Sequence, residues 1–288
     1  MIQTVFSTFD KKTWLLSLLL SGLLWSNWVN AAPYERVITL SPHLTEMVYS
    51  AGAGSKLVGA IAYSNYPASA KTLPIVGTYN ALNLEKIIQL KPDLILAWQS
   101  SNQSKVLERL QQLGFKVELF EPRKLSDIPR DIKRIGTLLN TSQIADALAN
   151  RLMSTLTTVK RQYQELTKIR FFYQIWDDPM MTVNGQVFIS QAIETCGAEN
   201  IFAQQKILAP EVDTESVLKR NPDVILLGGE TAVQKTWYQN WLKWPQINAV
   251  KNKQIYLINT NHFQRPTARL IHHLPDLCQR IHNARQKH

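Results

Sequence analysis

Apolar positions recur along this chain with two periods. Short β-branched or aliphatic runs at 36–40, 57–61, 94–98, 116–120, 170–176, 223–228 and 255–258 predict buried strands. Between them, apolar residues three and four apart predict helices, such as Leu44, Met47 and Val48, the segment 105–113 closed by Gly114, and 187–196 closed by Gly197. A last helix carries Leu270, Ile271, Leu274, Leu277 and Cys278. Strand and helix alternating at this spacing predict α/β architecture with parallel-type sheets. From 141 to 168 the pattern changes: Ile144, Leu148, Leu152, Leu156, Val159, Tyr163 and Leu166 mark one long amphipathic helix free of Gly and Pro. With about 25 helical residues it would be about 37 Å long, enough to bridge two lobes. The competing reading packs it inside a single domain. The expected organisation is a lobe at 33–140, a connecting helix at 141–168 and a lobe at 169–288.

A repeat supports two lobes. Asn83-Leu84-Glu85 runs through Ile87 and Ile88 to Pro92-Asp93-Leu94, and Asp213-Thr214-Glu215 runs through Val217 and Leu218 to Pro222-Asp223-Val224. Asn83 and Asp213 are side-chain N-caps, each Glu stands where the helix dipole favours an anion, and each Pro stops the helix before a strand. A motif found once in each half predicts two similar lobes with a ligand cleft between them.

The first 31 residues read differently. Lys11 and Lys12 precede an apolar run at 14–25, and Val29-Asn30-Ala31-Ala32 supplies small residues. The run is short for spanning about 30 Å of hydrocarbon, so residues 1–31 read as a cleaved secretory signal rather than a membrane anchor. The mature chain would then be periplasmic. The net charge of +10 comes from dispersed Lys and Arg, with no basic run and no nucleic-acid motif, which argues against a nucleic-acid partner. Cys196 and Cys278 are the only cysteines. In an oxidising compartment they are expected to pair, closing a loop whose entropy is worth roughly 4 kcal/mol, with a metal–thiolate pair as the alternative.

Signatures of catalysis are scarce. The chain has no Gly-x-Ser-x-Gly elbow, Walker loop or Gly-x-Gly-x-x-Gly turn. His43 and His262 follow predicted strands, and the adjacent His272 and His273 lie on the last helix, so surface or capping roles are expected of them over metal ligation. Aromatic residues carry more meaning. Tyr63, Tyr66, Tyr79, Trp98, Trp176, His262 and Phe263 all fall at or just after strand ends, where open α/β sheets form their crevice. Flat rings there suit a large ring-shaped ligand with apolar edges and amide arms.

Several segments together resemble a known family. They are Arg36-Val37-Ile38-Thr39-Leu40-Ser41-Pro42 with Thr45-Glu46, Tyr63-Ser64-Asn65-Tyr66-Pro67, Asn83-Leu84-Glu85, Cys196-Gly197-Ala198-Glu199-Asn200 and Phe263-Gln264-Arg265. They resemble the periplasmic vitamin B12-binding proteins of ABC importers across nearly the whole mature chain. The resemblance implies a non-enzymatic receptor with no resident cofactor, cobalamin being its cargo; a monomer is expected. It implies ligand contacts from Tyr63, Tyr79, Trp98, Trp176, Asn261, His262, Phe263, Gln264 and Arg265. Glu85 and Glu215 would dock on an inner-membrane permease with its ATPase subunits, and Cys196 and Cys278 would form the family's disulfide. The chain departs from the family at Tyr79, Ala209 and Asn261-His262, where Trp, Trp and Asp-Trp are common. Haem- and ferric-siderophore receptors of the same fold are the nearest alternative, and a His-based metal-dependent enzyme the more distant one.

Overall fold

In the computed structural model, the described residues are 34–100, 104–229 and 231–287. The expected signal segment lies outside them. The first half runs β1 (Val37–Thr39), α1 (Pro42–Ser50), β2 (Leu57–Ala60), α2 (Leu84–Leu90), β3 (Leu94–Trp98), α3 (Ser104–Gln112) and β4 (Val117–Phe120). Its strands form an all-parallel sheet in the order β2-β1-β3-β4. Helices α4 (Asp127–Leu138) and α5 (Ser142–Tyr163) follow. Next come β5 (Ile169–Gln174), β6 (Trp176–Asp177), β7 (Met180–Met181), α6 (Phe188–Thr195), β8 (Ala198–Asn200), α7 (Thr214–Arg220) and β9 (Val224–Leu227). The chain ends with α8 (Thr231–Trp241), α9 (Asn248–Lys251), β10 (Ile255–Leu257), α10 (Thr260–Phe263), α11 (Ala268–His272) and α12 (Leu274–Arg285).

The second sheet is parallel in the order β10-β9-β5-β8. Read in chain order, both sheets have one topology: the second strand flanks the first, and the third and fourth lie on its other side. The central strands are buried on both faces, as parallel sheets covered by helices require.

The repeat holds in three dimensions and extends further than the motif suggests. Asn83 accepts from Lys86 N at 2.9 Å, and Asp213 from Ser216 N at 2.6 Å. Both helices close on a left-handed residue, Lys91 at φ 47° and Asn221 at φ 43°. Asp93 accepts the backbone N–H groups of Glu35 and Arg36 at 2.8 and 3.0 Å, and Asp223 accepts that of Arg170 at 3.0 Å. The side chains of Arg36 and Arg170 in turn donate to the last carbonyls of α2 and α7, at Leu90 and Arg220. Each unit therefore includes the strand before it, sealed by an Arg and an Asp.

One apolar cluster spans both sheets. It includes Val37, Leu44 and Leu94, then Leu148, Leu152, Leu156 and Val159 of α5, then Tyr173, Leu226, Leu270 and Ile271. The helix expected at 141–168 stops at Tyr163, and Leu166 N turns back onto Tyr163 O. Leu166 still packs on the core from this turn, which is why the apolar period ran on to it.

Several elements were not legible. Helix α4 contains Pro129 and Gly136; the Pro sits in its first turn, and a Cβ on Gly136 would stand 2.2 Å from that of Ala145, so the Gly permits the close approach of α4 to α5. Strand β8 is a three-residue edge, and α8 buries Trp237 and Trp241 with the polar Gln234 on the same face, which blurs its apolar stripe. The expected last helix is two, broken at His273 with Pro275 opening the second. The strand expected at 170–176 ends at Gln174, and Trp176 pairs instead with Met181 in a two-stranded ladder.

Candidate functional site

Residues singled out for binding leave the C-terminal edges of both sheets. From the first, the loop after β2 presents Tyr63, 79% exposed, and Tyr66, 44% exposed. Tyr63 has φ 65°, a left-handed conformation that disfavours a residue with a Cβ by roughly 1–2 kcal/mol. Ser64 beside it is buried and bonded to Thr45 Oγ1 at 2.9 Å, which is bonded to Thr39 Oγ1 at 2.7 Å. This hydroxyl chain ties the loop to β1 and α1.

Tyr79 stands half-exposed in the turn where Thr78 N donates to Ala81 O. Gly77 is required there, since at φ 143° a Cβ would lie 2.3 Å from Ala81 O. Trp98 ends β3 and is half-buried; its Nε1 is sealed off without a hydrogen-bond partner among the described residues. His43 packs edge-on to it at 5.3 Å between centroids.

The expected surface or capping role of His43 is overturned. The ring is 5% exposed, 3.4 Å from Ser41 Oγ, and its pKa is pushed down to about 3 by burial, with the charge of Arg265 adding. It sits under the strand edge as a neutral imidazole. Ser41 caps α1 from the same place, accepting from Leu44 N.

From the second sheet, Trp176 is exposed, with its indole N–H donated to Asp178 O at 3.1 Å. The 259–266 loop after β10 folds into the single turn α10, capped by Asn259. Asn261 and Gln264 are exposed. Phe263 was expected to face a ligand but is 6% exposed, and it anchors the loop in the main core. His262 stacks flat on His273 at 3.6 Å and 2°. Burial, with the charges of His273 and Arg269 adding, holds its pKa below the ordinary value. A depression of about 270 Å³ beside the pair is lined by Asn259, His262, Phe263, His273, Asp276 and Arg280.

The two edges touch through arginines. Arg265 donates from Nη1 to Asn65 Oδ1 at 3.1 Å and from Nη2 to Tyr63 O at 3.2 Å. Arg269 donates from Nε and Nη2 to the two carboxylate oxygens of Glu46 at 2.7 and 2.6 Å, and its guanidinium lies 3.9 Å from the Tyr66 ring centroid. Glu46 and Arg269 were not singled out by sequence reasoning as partners. Glu46 entered the sequence reading only as part of the segment after Ser41-Pro42, and Arg269 not at all.

Glu85 and Glu215 are exposed in matching first turns of α2 and α7, with the same alternation of exposure around them. Among the described residues, neither forms an ion pair. Cys196 and Cys278 form a disulfide that ties α6 to α12. Among the described residues, no group of three or more His, Cys, Asp or Glu converges to hold a metal ion.

Comparison with known proteins agrees with this architecture. The chain is 38% identical to a vitamin B12-binding protein of Vibrio vulnificus over 92% of its own length and 96% of that protein. It is 35% identical to one from Photorhabdus laumondii, over 93% and 95%. The crystal structure of the periplasmic vitamin B12 binding protein of Vibrio cholerae superposes with a TM-score of 0.80 at 33% identity, covering 88% of this chain and 98% of that one. A periplasmic heme-binding protein from Roseiflexus superposes at 0.75 with 20% identity, covering 87% and 98%, a likeness of fold alone. The family model described as periplasmic binding protein matches residues 37–261. This chain belongs to the periplasmic binding protein family.

Proposed function

We propose that the protein captures cobalamin between the two strand edges in the periplasm and delivers it to an inner-membrane ABC permease. The observation that carries this reading is full-length kinship with vitamin B12-binding proteins, combined with exposed rings on both edges, Tyr63 and Trp176 above all. A large amphipathic macrocycle gains contact area from rigid aromatic faces at low entropic cost. Tyr63, Tyr79, Trp98 and Trp176 form the walls in this reading, with Asn261, His262, Gln264 and Arg265 meeting the polar periphery. Phe263 supports the loop from below.

Recognition is by a pre-formed site. The continuous core through α5 and the arginine contacts between the edges oppose wide hinge motion, because a packed interior does not deform gradually. Glu85 and Glu215 dock the two lobes on cationic groups of a permease, being exposed, unpaired among the described residues and repeated. Export by cleavage after residue 31 belongs to the same reading. Titration calorimetry of the mature protein with cyanocobalamin, haemin and a ferric siderophore tests it. One-to-one submicromolar binding of the corrinoid alone supports the assignment, and silence with the corrinoid refutes it.

A further inference from the structure

The contact between Glu46 and Arg269 joins helices 223 residues apart in the chain and is almost wholly removed from water, at 1% and 13% side-chain exposure. A buried ion pair is weak evidence of stability, since apolar residues of similar volume often hold a fold as well or better. What a bidentate carboxylate adds is direction, because both oxygens fix the plane of the guanidinium. That direction has a use here, as the guanidinium carbon lies over the ring of Tyr66, 3.9 Å from its centroid.

Each residue of the 63–66 loop is held from outside. Arg265 takes Tyr63 O and the Asn65 side chain, Thr45 takes Ser64, and Arg269 takes the ring of Tyr66. These holds oppose a backbone that is disfavoured at Tyr63, with φ 65°. The only carboxylate in this set of contacts is Glu46.

We propose that Glu46 and Arg269 are positioning residues of the ligand site: the buried carboxylate orients Arg269, whose guanidinium over the ring seats Tyr66 and thereby presents Tyr63 to the ligand. The ligand's identity in this inference rests on the cobalamin reading; the positioning itself does not. One wall of the site is thus set by a charge pair between the two halves of the chain, rather than by the loop that carries the rings.

The test uses the mature protein and the double variant Glu46→Leu/Arg269→Met, which removes both charges and so leaves no ion buried alone. Asp131→Asn is the control; it weakens another ion pair with a buried carboxylate, Asp131 being 3% exposed and its partner Arg130, at 2.9 Å, 58% exposed, in a helix that carries no site residue. 3-Fluorotyrosine placed at position 63 gives a ligand-free readout. One narrow fluorine resonance is expected in the wild type and in the control, and a shifted or split one in the double variant. An unchanged resonance in the double variant overturns the proposal, whatever the protein binds. For cyanocobalamin, affinity is expected to fall about tenfold or more in the double variant at a melting temperature near that of the wild type, and to hold in the control. Wild-type affinity in the double variant also overturns it. If affinity tracks melting temperature across the three proteins, the pair is structural and the proposal fails. A wild type that ignores cyanocobalamin refutes the functional assignment, and the fluorine arm still decides the positioning.

Discussion

Acidification probes the buried imidazole of His43 directly. Its folded pKa is about 3 against an ordinary value of 6.5. A depressed pKa means that the folded state refuses a proton the unfolded chain accepts. The contribution of this group to stability is therefore fully present above pH 6.5 and is lost as pH falls from there toward 3. The slope is about 1.4 kcal/mol per pH unit, so at pH 5 the loss reaches about 2 kcal/mol. His43→Gln removes the titrating group while keeping a polar side chain near Ser41. Other groups contribute to acid sensitivity, so the informative quantity is the change in unfolding free energy between pH 7 and pH 5, compared between wild type and variant. Urea unfolding at constant ionic strength should show the wild type losing about 2 kcal/mol more than the variant. Equal losses would mean that the ring is protonated or solvated in the folded protein, and the burial argument would fall. The His43 ring resonances should likewise stay flat down to about pH 4, whereas exposed histidines titrate near 6.5.

Three further outcomes are expected. Tyr63→Gly and Tyr63→Ala should both lose cobalamin affinity by calorimetry, but the Gly variant should be more stable than the Ala variant by about 1 kcal/mol in urea unfolding, because only Gly accepts φ 65° without cost; equal stabilities would remove the strain. Glu85→Lys combined with Glu215→Lys should abolish permease-dependent uptake in reconstituted vesicles and leave ligand affinity within about twofold; lost affinity would place the glutamates in the binding site. Replacing Cys196 and Cys278 by Ser should cost about 4.5 kcal/mol in unfolding free energy for a loop of separation 82; a loss under about 1 kcal/mol would show that the loop's entropy is not what the bond contributes.

The repeat was legible because its parts are local. A side-chain cap, a Glu in the first turn and a Pro after the last act within a few residues, and the structure reproduces each in both halves. The Arg that seals each unit precedes the first strand by one residue in the first half and lies in the strand in the second, so it falls outside the motif that was read. Helix α4 was missed for the opposite reason. Its Pro and Gly are breakers by local rules, and their tolerance depends on a first-turn position and on a partner helix at Gly136. Most of the aromatic residues stand at or just after strand ends as expected, whereas Tyr79 stands in the turn before α2, and the exposure of none was readable. Periodicity assigns a ring to an edge, and neighbours distant in sequence decide whether it faces water, as Trp176 does, or the core, as Phe263 does.

The sequence by itself determined what short-range chemistry controls: alternating strands and helices, two matching lobes, and an α/β class with most of the rings at strand ends. Tertiary structure alone decided how the two strand edges are held together. Glu46 and Arg269, His43 and Arg265, and His262 and His273 acquire their roles from partners on other elements. Burial of a charge or a ring depends on three-dimensional proximity, and no local period encodes that.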